Sequence, residues 1–137
     1  FIKSTGVKKG DFGIEVTETA ELNNLSLASL RLSSIKNLGV SIALDDFGAG
    51  YSALRYLKDL PIDLLKLDKS FTTEMAETHN QSLIQIAKLM ADSLSMEFIC
   101  EGLEEEWQIE KAISLGCERG QGYFLHKPCS LEDLTNE

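Results

Sequence analysis

Apolar residues recur along this chain in two alternating rhythms, short blocks that read as strands and longer blocks at a spacing of three or four that read as helices. Phe12 to Thr17 predicts a first strand. Leu25, Ala28, Leu32, Ile35 and Leu38 then share one helical stripe, closed by Gly39 where helices favour glycine. Val40 to Leu44 predicts a second strand, Ser52 to Leu60 a short helix that Pro61 stops, and Asp63 to Leu67 a third strand. The longest helical pattern follows, with Leu83, Ile86, Ala87, Met90 and Leu94 on its apolar side. Glu97 to Glu101 reads as a fourth strand, and Glu104 to Leu115 as a helix ended by Gly116. A short fifth strand falls within Arg119 to Tyr123, and Leu131 to Leu134 begins a closing helix.

Strands separated by helices with short turns form repeated βα units around a parallel sheet. Alternation within each strand decides which side chains share a face. Glu15 falls with Gly13 and Thr17, Asp45 with the small Ser41 and Ala43, Lys66 with Asp68, and Glu101 with Ile99. The larger apolar residues lie opposite and would meet the helices. A charged residue near the carboxyl end of each strand, facing inward, is the layout of a (β/α) barrel, whose active site gathers at those ends. Such a barrel takes about 250 residues. The expected architecture is therefore a partial TIM-like α/β barrel, the carboxyl-terminal five βα units, with about three further strands preceding them on the eight-strand count of the fold.

Composition narrows the function classes. With 137 residues and 43% hydrophobic content the chain can bury one core. Its net charge of -9 disfavours duplex DNA or RNA and anionic lipid as partners, although a bound divalent cation would reverse the field locally and admit a phosphorylated small molecule. Cys100, Cys117 and Cys129 are odd in number and lack paired spacing, so they read as buried small side chains in a reducing cytoplasm rather than a disulfide framework or a thiolate zinc site. No apolar stretch reaches the ~20 residues of a membrane span, which leaves a membrane-tethered parent protein open. His79 and His126 are isolated, and Trp107 reads as a packing residue.

The chemistry concentrates at Asp45-Asp46, where an apolar run meets Phe47-Gly48-Ala49-Gly50-Tyr51-Ser52. Adjacent carboxylates at the end of a buried strand repel unless a cation sits between them, so the pair reads as a divalent-metal site. A helix cap or turn-forming aspartate is the plain alternative, as is an exposed strand position for Glu15 and Lys66, and a capping role for Asp68 ahead of Ser70.

Glu15-Val16-Thr17-Glu18, Ala43 to Ser52, Leu60 to Asp68, Glu101-Gly102-Leu103-Glu104 and Gln121-Gly122-Tyr123 together resemble the ordered signature of the EAL domain, the cyclic di-GMP phosphodiesterase family. The resemblance implies that Glu15 and Asp45 bind a first metal, that Asp46 and Glu101 help to hold a second, and that the ions are Mg2+ or Mn2+, whose preference is for oxygen ligands. It implies that Lys66 contacts the attacking water, that Glu101 acts as a metal-assisted base or ligand, and that Glu104 and Gln121 support the water and the metal shell. Glu18 would anchor the substrate-side loop of Gly48, Gly50, Tyr51 and Ser52, and Asp68 would lie just behind the ligands. The namesake Glu-Ala-Leu motif and the asparagine that completes the first metal's shell have no counterpart in residues 1–137, and Ala49 stands where the family often has threonine.

The resemblance implies hydrolysis of cyclic di-GMP to linear pGpG by the complete domain, with this segment inactive alone. A receptor or scaffold that binds cyclic di-GMP without cutting it is the competing reading, separated from the first by the upstream motifs. An unrelated barrel enzyme that stabilises an enolate on carboxylate-bound Mg2+ is a third, and the motif order speaks against it. Sensory or GGDEF domains are partners of the kind the family implies. An open barrel edge also predicts a dimer or other oligomer.

Overall fold

The computed structural model describes Gly10 and residues 12–17, 24–50 and 57–134. Five strands form one wholly parallel sheet in chain order: β1 (Gly13–Thr17), β2 (Ser41–Phe47), β3 (Leu64–Leu67), β4 (Glu97–Cys100) and β5 (Arg119–Gly120). Among the described residues the helices with bounds on both sides are α1 (Leu25–Lys36), α2 (Lys69–Thr73), α3 (Thr78–Ser93), α4 (Glu106–Ser114) and α5 (Leu131–Leu134). Parallel neighbours in sequential order, with helices between β1 and β2, β3 and β4, and β4 and β5, make the partial TIM-like α/β barrel that the pattern predicts. The expected helix from Ser52 lies outside the described residues up to position 56.

The core lies between sheet and helices. Ile42, Leu44, Leu65, Leu67 and Phe98 supply it from the strands, and Ile84, Ala87 and Ala91 from α3. That helix corrects the predicted stripe: Leu83 and Ile86 are exposed, while Asn80, Ile84, Ala87 and Ala91 face inward. Apolar residues occur on more than one side of α3, and the side bearing two alanines lets its backbone approach the sheet more closely. In α1 the predicted Leu32 is buried, but the helix ends at Lys36 and Leu38 falls in the exposed turn after it.

The cysteines divide. Cys100 and Cys117 are buried, with the Cys100 thiol donating to Cys117 Sγ at 3.1 Å, whereas Cys129 is exposed, contrary to expectation. Trp107 is also corrected: its ring is partly exposed, and its Nε1–H donates to Glu105 Oε2 at 2.7 Å on the outside of α4.

The two ends of the sheet carry different chemistry. At the amino ends, Lys36 pairs with Asp63 at 2.7 Å and donates to the Pro61 carbonyl, while the Ile42 N–H donates to Asp63 Oδ2, tying α1 to the start of β3. Those contacts are structural. The carboxyl ends gather the remaining buried charge.

Candidate active site

Lys66, on β3 between two fully buried leucines, projects from the opposite face of the sheet and is only 5% exposed. Its ammonium reaches three strands at once: Glu15 Oε1 of β1 at 2.7 Å, Asp45 Oδ1 of β2 at 2.8 Å and Glu101 Oε1, just past β4, at 2.7 Å. Burial works against the charged lysine, but the contacts with Asp45, Glu101 and Glu15 outweigh it and hold its pKa well above the ordinary value. Lys66 is therefore a fixed positive charge at neutral pH. The exposed-lysine alternative is removed by this geometry.

Asp45 and Asp46 lie within β2 rather than beyond it, since pairing with β3 resumes at Phe47. Consecutive residues of a regular strand point to opposite faces. Here the register with β3 breaks between Leu44 and Phe47, and Asp46 takes a left-handed backbone with φ of 56°. The irregularity turns both carboxylates towards Glu101, so that one oxygen from each of Asp45, Asp46 and Glu101 lies within 4.8 Å of the others. A non-glycine residue in that conformation carries strain that aspartate tolerates better than most.

This donor set fits a divalent cation. Asp45 Oδ1 is buried without a hydrogen-bond partner of regular geometry, its contact with Lys66 being an ion pair. Burial raises the pKa of Asp46, with Asp45 and Asp68 adding like-charge repulsion. Burial likewise raises Glu101, and with the like charges of Asp45 and Glu15 it outweighs the lowering by Lys66. Carboxylates held above their usual range mark a place where negative charge is in excess of its compensation. Glu15 stands apart from the three-residue cluster and joins the site through Lys66, with its side chain 55% exposed.

Glu101, Glu104 and Gln121 line one cavity of about 850 Å³ with Lys69, Tyr123 and Lys127 among its other walls. Gln121 is placed by its backbone: its N–H donates to the Cys100 carbonyl at 2.8 Å, and its own carbonyl accepts from Leu103 N–H at 3.1 Å. Asp68 caps α2 by accepting from Ser70 N–H at 2.9 Å, as its capping reading predicts, and it also sits near enough to Asp46 to raise its pKa. Gly48, with φ of 95°, has no room for a side chain, because a Cβ there would lie 2.6 Å from the Phe71 ring. Gly50 is described in the turn that follows β2, whereas Glu18, Tyr51 and Ser52 lie outside the described residues.

Sequence reasoning missed the residues behind these loops. Thr72 and Gln108 are buried polar side chains that hold the loop carrying Glu101 and Glu104. The spacing of Glu105 and Gln108, which form a reciprocal cap at the start of α4, was the available signal for one of them. Thr72 left none.

Comparison with known proteins agrees with this layout. The EAL domain family matches residues 1–128. The cyclic di-GMP phosphodiesterase PdeA of Borreliella burgdorferi is 38% identical over 116 residues, which cover 84% of this chain and 17% of that protein. The crystal structure of the EAL domain of Mycobacterium smegmatis DcpA superposes with a TM-score of 0.94 at 32% identity, covering 98% of this chain and 61% of that one. The PaMucR phosphodiesterase in complex with c-di-GMP gives a TM-score of 0.85 at 33% identity, covering 93% and 52%. The chain spans between 15% and 21% of the length of eight curated relatives it matches. A parallel sheet with acids at its carboxyl ends, a matching family profile and these structural likenesses lead to one assignment: the chain belongs to the EAL domain family.

Proposed function

We propose that this chain is the carboxyl-terminal portion of a single EAL domain, spanning residues 1–137, and that the complete domain hydrolyses cyclic di-GMP to linear pGpG with the help of Mg2+ or Mn2+. The observation that carries the reading is the convergence of Asp45, Asp46 and Glu101 beside a buried Lys66. Relatives named as cyclic di-GMP phosphodiesterases and a relative solved with c-di-GMP support the choice of substrate.

Phosphodiester hydrolysis needs a nucleophile available at neutral pH and compensation for charge on the phosphoryl oxygens. A pair of divalent ions supplies both, by acidifying water and clamping phosphate. Asp45, Asp46 and Glu101 would hold those ions, with Glu15 contributing from β1. Lys66 keeps a fixed positive charge facing the place where the attacking water and the developing negative charge would lie. Its three ion pairs fix the ammonium and, in return, orient Glu15, Asp45 and Glu101. Glu101 combines a raised pKa with a position between Lys66 and the cavity, which suits a group that accepts the water's proton. Glu104 and Gln121 on the cavity wall would orient the water, and Lys69 and Lys127 would offset phosphate charge.

The test is hydrolysis of cyclic di-GMP by the full-length protein with Mg2+ or Mn2+, followed by chromatography of the linear product. Asp45→Asn and Glu101→Gln should each lower kcat by at least about 100-fold, the scale of losing a metal-orienting or charge-stabilising group. Full activity in either variant would remove the assigned roles.

A further inference from the structure

Two buried polar side chains have no place among the groups that would touch metal or phosphate. Thr72, on α2, is wholly buried, and Gln108, on α4, is 5% exposed. The Thr72 hydroxyl lies within hydrogen-bond reach of two carbonyls, that of Lys69 one turn back at 2.9 Å and that of Glu101 across the site. It has a single proton, and the Glu101 contact is the closer. Gln108 completes a chain: its Nε2 donates to the Thr72 carbonyl at 3.0 Å, and its Oε1 accepts from the backbone N–H groups of Glu104 at 2.7 Å and Glu105 at 2.9 Å. Between these attachments sits Gly102, with φ of 68°, whose missing Cβ would fall 2.6 Å from Lys69 Cβ and 3.1 Å from Thr72 Oγ1. The whole segment from Glu101 to Glu105 is thus fastened to one turn of α2.

We propose that Thr72 and Gln108 are positioning residues, which act as a buried clamp to set where the Glu101 and Glu104 carboxylates stand in the site. The inference rests on the reading of that site as a metal-dependent phosphodiesterase centre. Both acids leave the backbone inside the clamped segment, so each freed attachment lets a carboxylate drift relative to Lys66 and Asp45. A shift of about 1 Å at a reacting centre can cost about 100-fold in rate, and loss of groups that orient metal ligands typically weakens metal affinity by about 10–100-fold.

The experiment uses the full-length protein and three variants. Thr72→Val keeps the shape and loses the donor, Thr72→Ser keeps the donor, and Gln108→Glu keeps the acceptor for Glu104 and Glu105 while losing the donor to Thr72. Cyclic di-GMP turnover is measured with thermal unfolding, and Mg2+ and Mn2+ affinity by calorimetry without substrate. Thr72→Val should lower kcat by about 10–100-fold with KM changed by less than about threefold, and weaken metal binding by about 10-fold. Thr72→Ser should recover both, and Gln108→Glu should fall between. Ile84→Val, buried on α3 and making none of these hydrogen bonds, controls for loss of stability and should leave kcat and metal affinity unchanged. Wild-type kcat and metal affinity in Thr72→Val, or a serine variant as impaired as valine, would overturn the clamp. Should Thr72→Val fail to fold, wild-type values in Gln108→Glu overturn it instead. A wild type that binds metal but does not cut the dinucleotide counts against the proposed substrate, and the affinity arm then decides the clamp. A wild type that does neither overturns both.

Discussion

Replacing Lys66 with methionine keeps the unbranched stem of the side chain as far as Cε and deletes the charge on which three carboxylates converge. The contacts are unequal: Glu15 is 55% exposed, while Asp45 and Glu101 are 18% and 15% exposed at their side chains. The exposed contact is worth about 0–1 kcal/mol. Stranding the two half-buried acids belongs to the class of broken buried ion pairs, at about 3–5 kcal/mol, with the lower end favoured because Glu101, whose pKa burial already raises, can take up a proton. Lys66→Met should therefore destabilise the metal-free protein by about 3 kcal/mol. A divalent cation would compensate the same carboxylates, and at a hundredfold excess over its dissociation constant it stabilises a folded protein by about 2.7 kcal/mol. The variant has one positive charge fewer to compete with the ion, so its metal-linked gain should exceed that of wild type. Equilibrium urea unfolding in EDTA and in excess Mg2+ measures both quantities, while cyclic di-GMP turnover should be lost in each condition. An equal deficit with and without Mg2+, or a deficit below about 1 kcal/mol in EDTA, would refute the shared role of lysine and metal in balancing the site.

The inner face of α3 gives a simpler test: Ile84→Ala should cost about 2–5 kcal/mol, whereas Ile86→Ser on the outer face should stay within about 0.5 kcal/mol by thermal or urea unfolding. Comparable losses at the two positions would contradict the placement of the helix. Asp46 and Glu101 have raised pKa values in the fold, relative to ordinary values of 3.8 and 4.5. The native state then binds their protons before the unfolded state does, so this contribution is stabilising at low pH and is lost as pH rises through the raised values. In EDTA, the difference in stability between wild type and the double variant Asp46→Asn/Glu101→Gln should move in favour of wild type on mild acidification. In Mg2+ it should move the other way, because the ion requires the deprotonated acids. A difference independent of pH in EDTA would remove the assigned shifts.

Strand order and the acids at strand ends were legible because the signals are local. Alternation put Lys66 on the face opposite Leu65 and Leu67 before any tertiary contact was known, and the same rule placed Asp45 with Ala43. Asp46 was recognised by its type and its adjacency, but alternation sends it to the wrong side. Only the break in register between β2 and β3 brings it beside Glu101, and that break depends on pairing with a strand seventeen or more residues away in the chain. The face of α3 was read only in part for a related reason: Ala87 and Met90 do pack on the core as predicted, but Leu83, Ile86 and Leu94 are exposed and Ile84 takes the inner side, because apolar residues lie on more than one side of the helix and the separation available to the sheet decides between them. Thr72 was invisible because its partners are backbone carbonyls, which every residue possesses, and the capping spacing of Gln108 signals the start of α4 without showing that its amide reaches the Thr72 carbonyl.

The site's organisation follows from the segment that runs from Lys66 to Thr72. Lys66 draws together Glu15, Asp45 and Glu101; Asp68 starts α2 and faces Asp46; Phe71 fills the space above Gly48 after the acidic pair; Thr72 takes the Glu101 carbonyl. A helix the length of α2, five residues, is far too short to persist through its own hydrogen bonds. Packing must hold it, and the packing partners include the loops that carry the candidate ligands. Its contacts with those loops are therefore mutually dependent, which makes the acids of β2 and of the loop after β4 respond together although no bond links them directly. That dependence explains how acids carried on separate strands can keep one geometry while Asp46 strains the backbone and Glu101 retains its proton more tightly than usual: the strain is borne by a hub whose contacts with β1, with β2 and with the loop after β4 hold one arrangement.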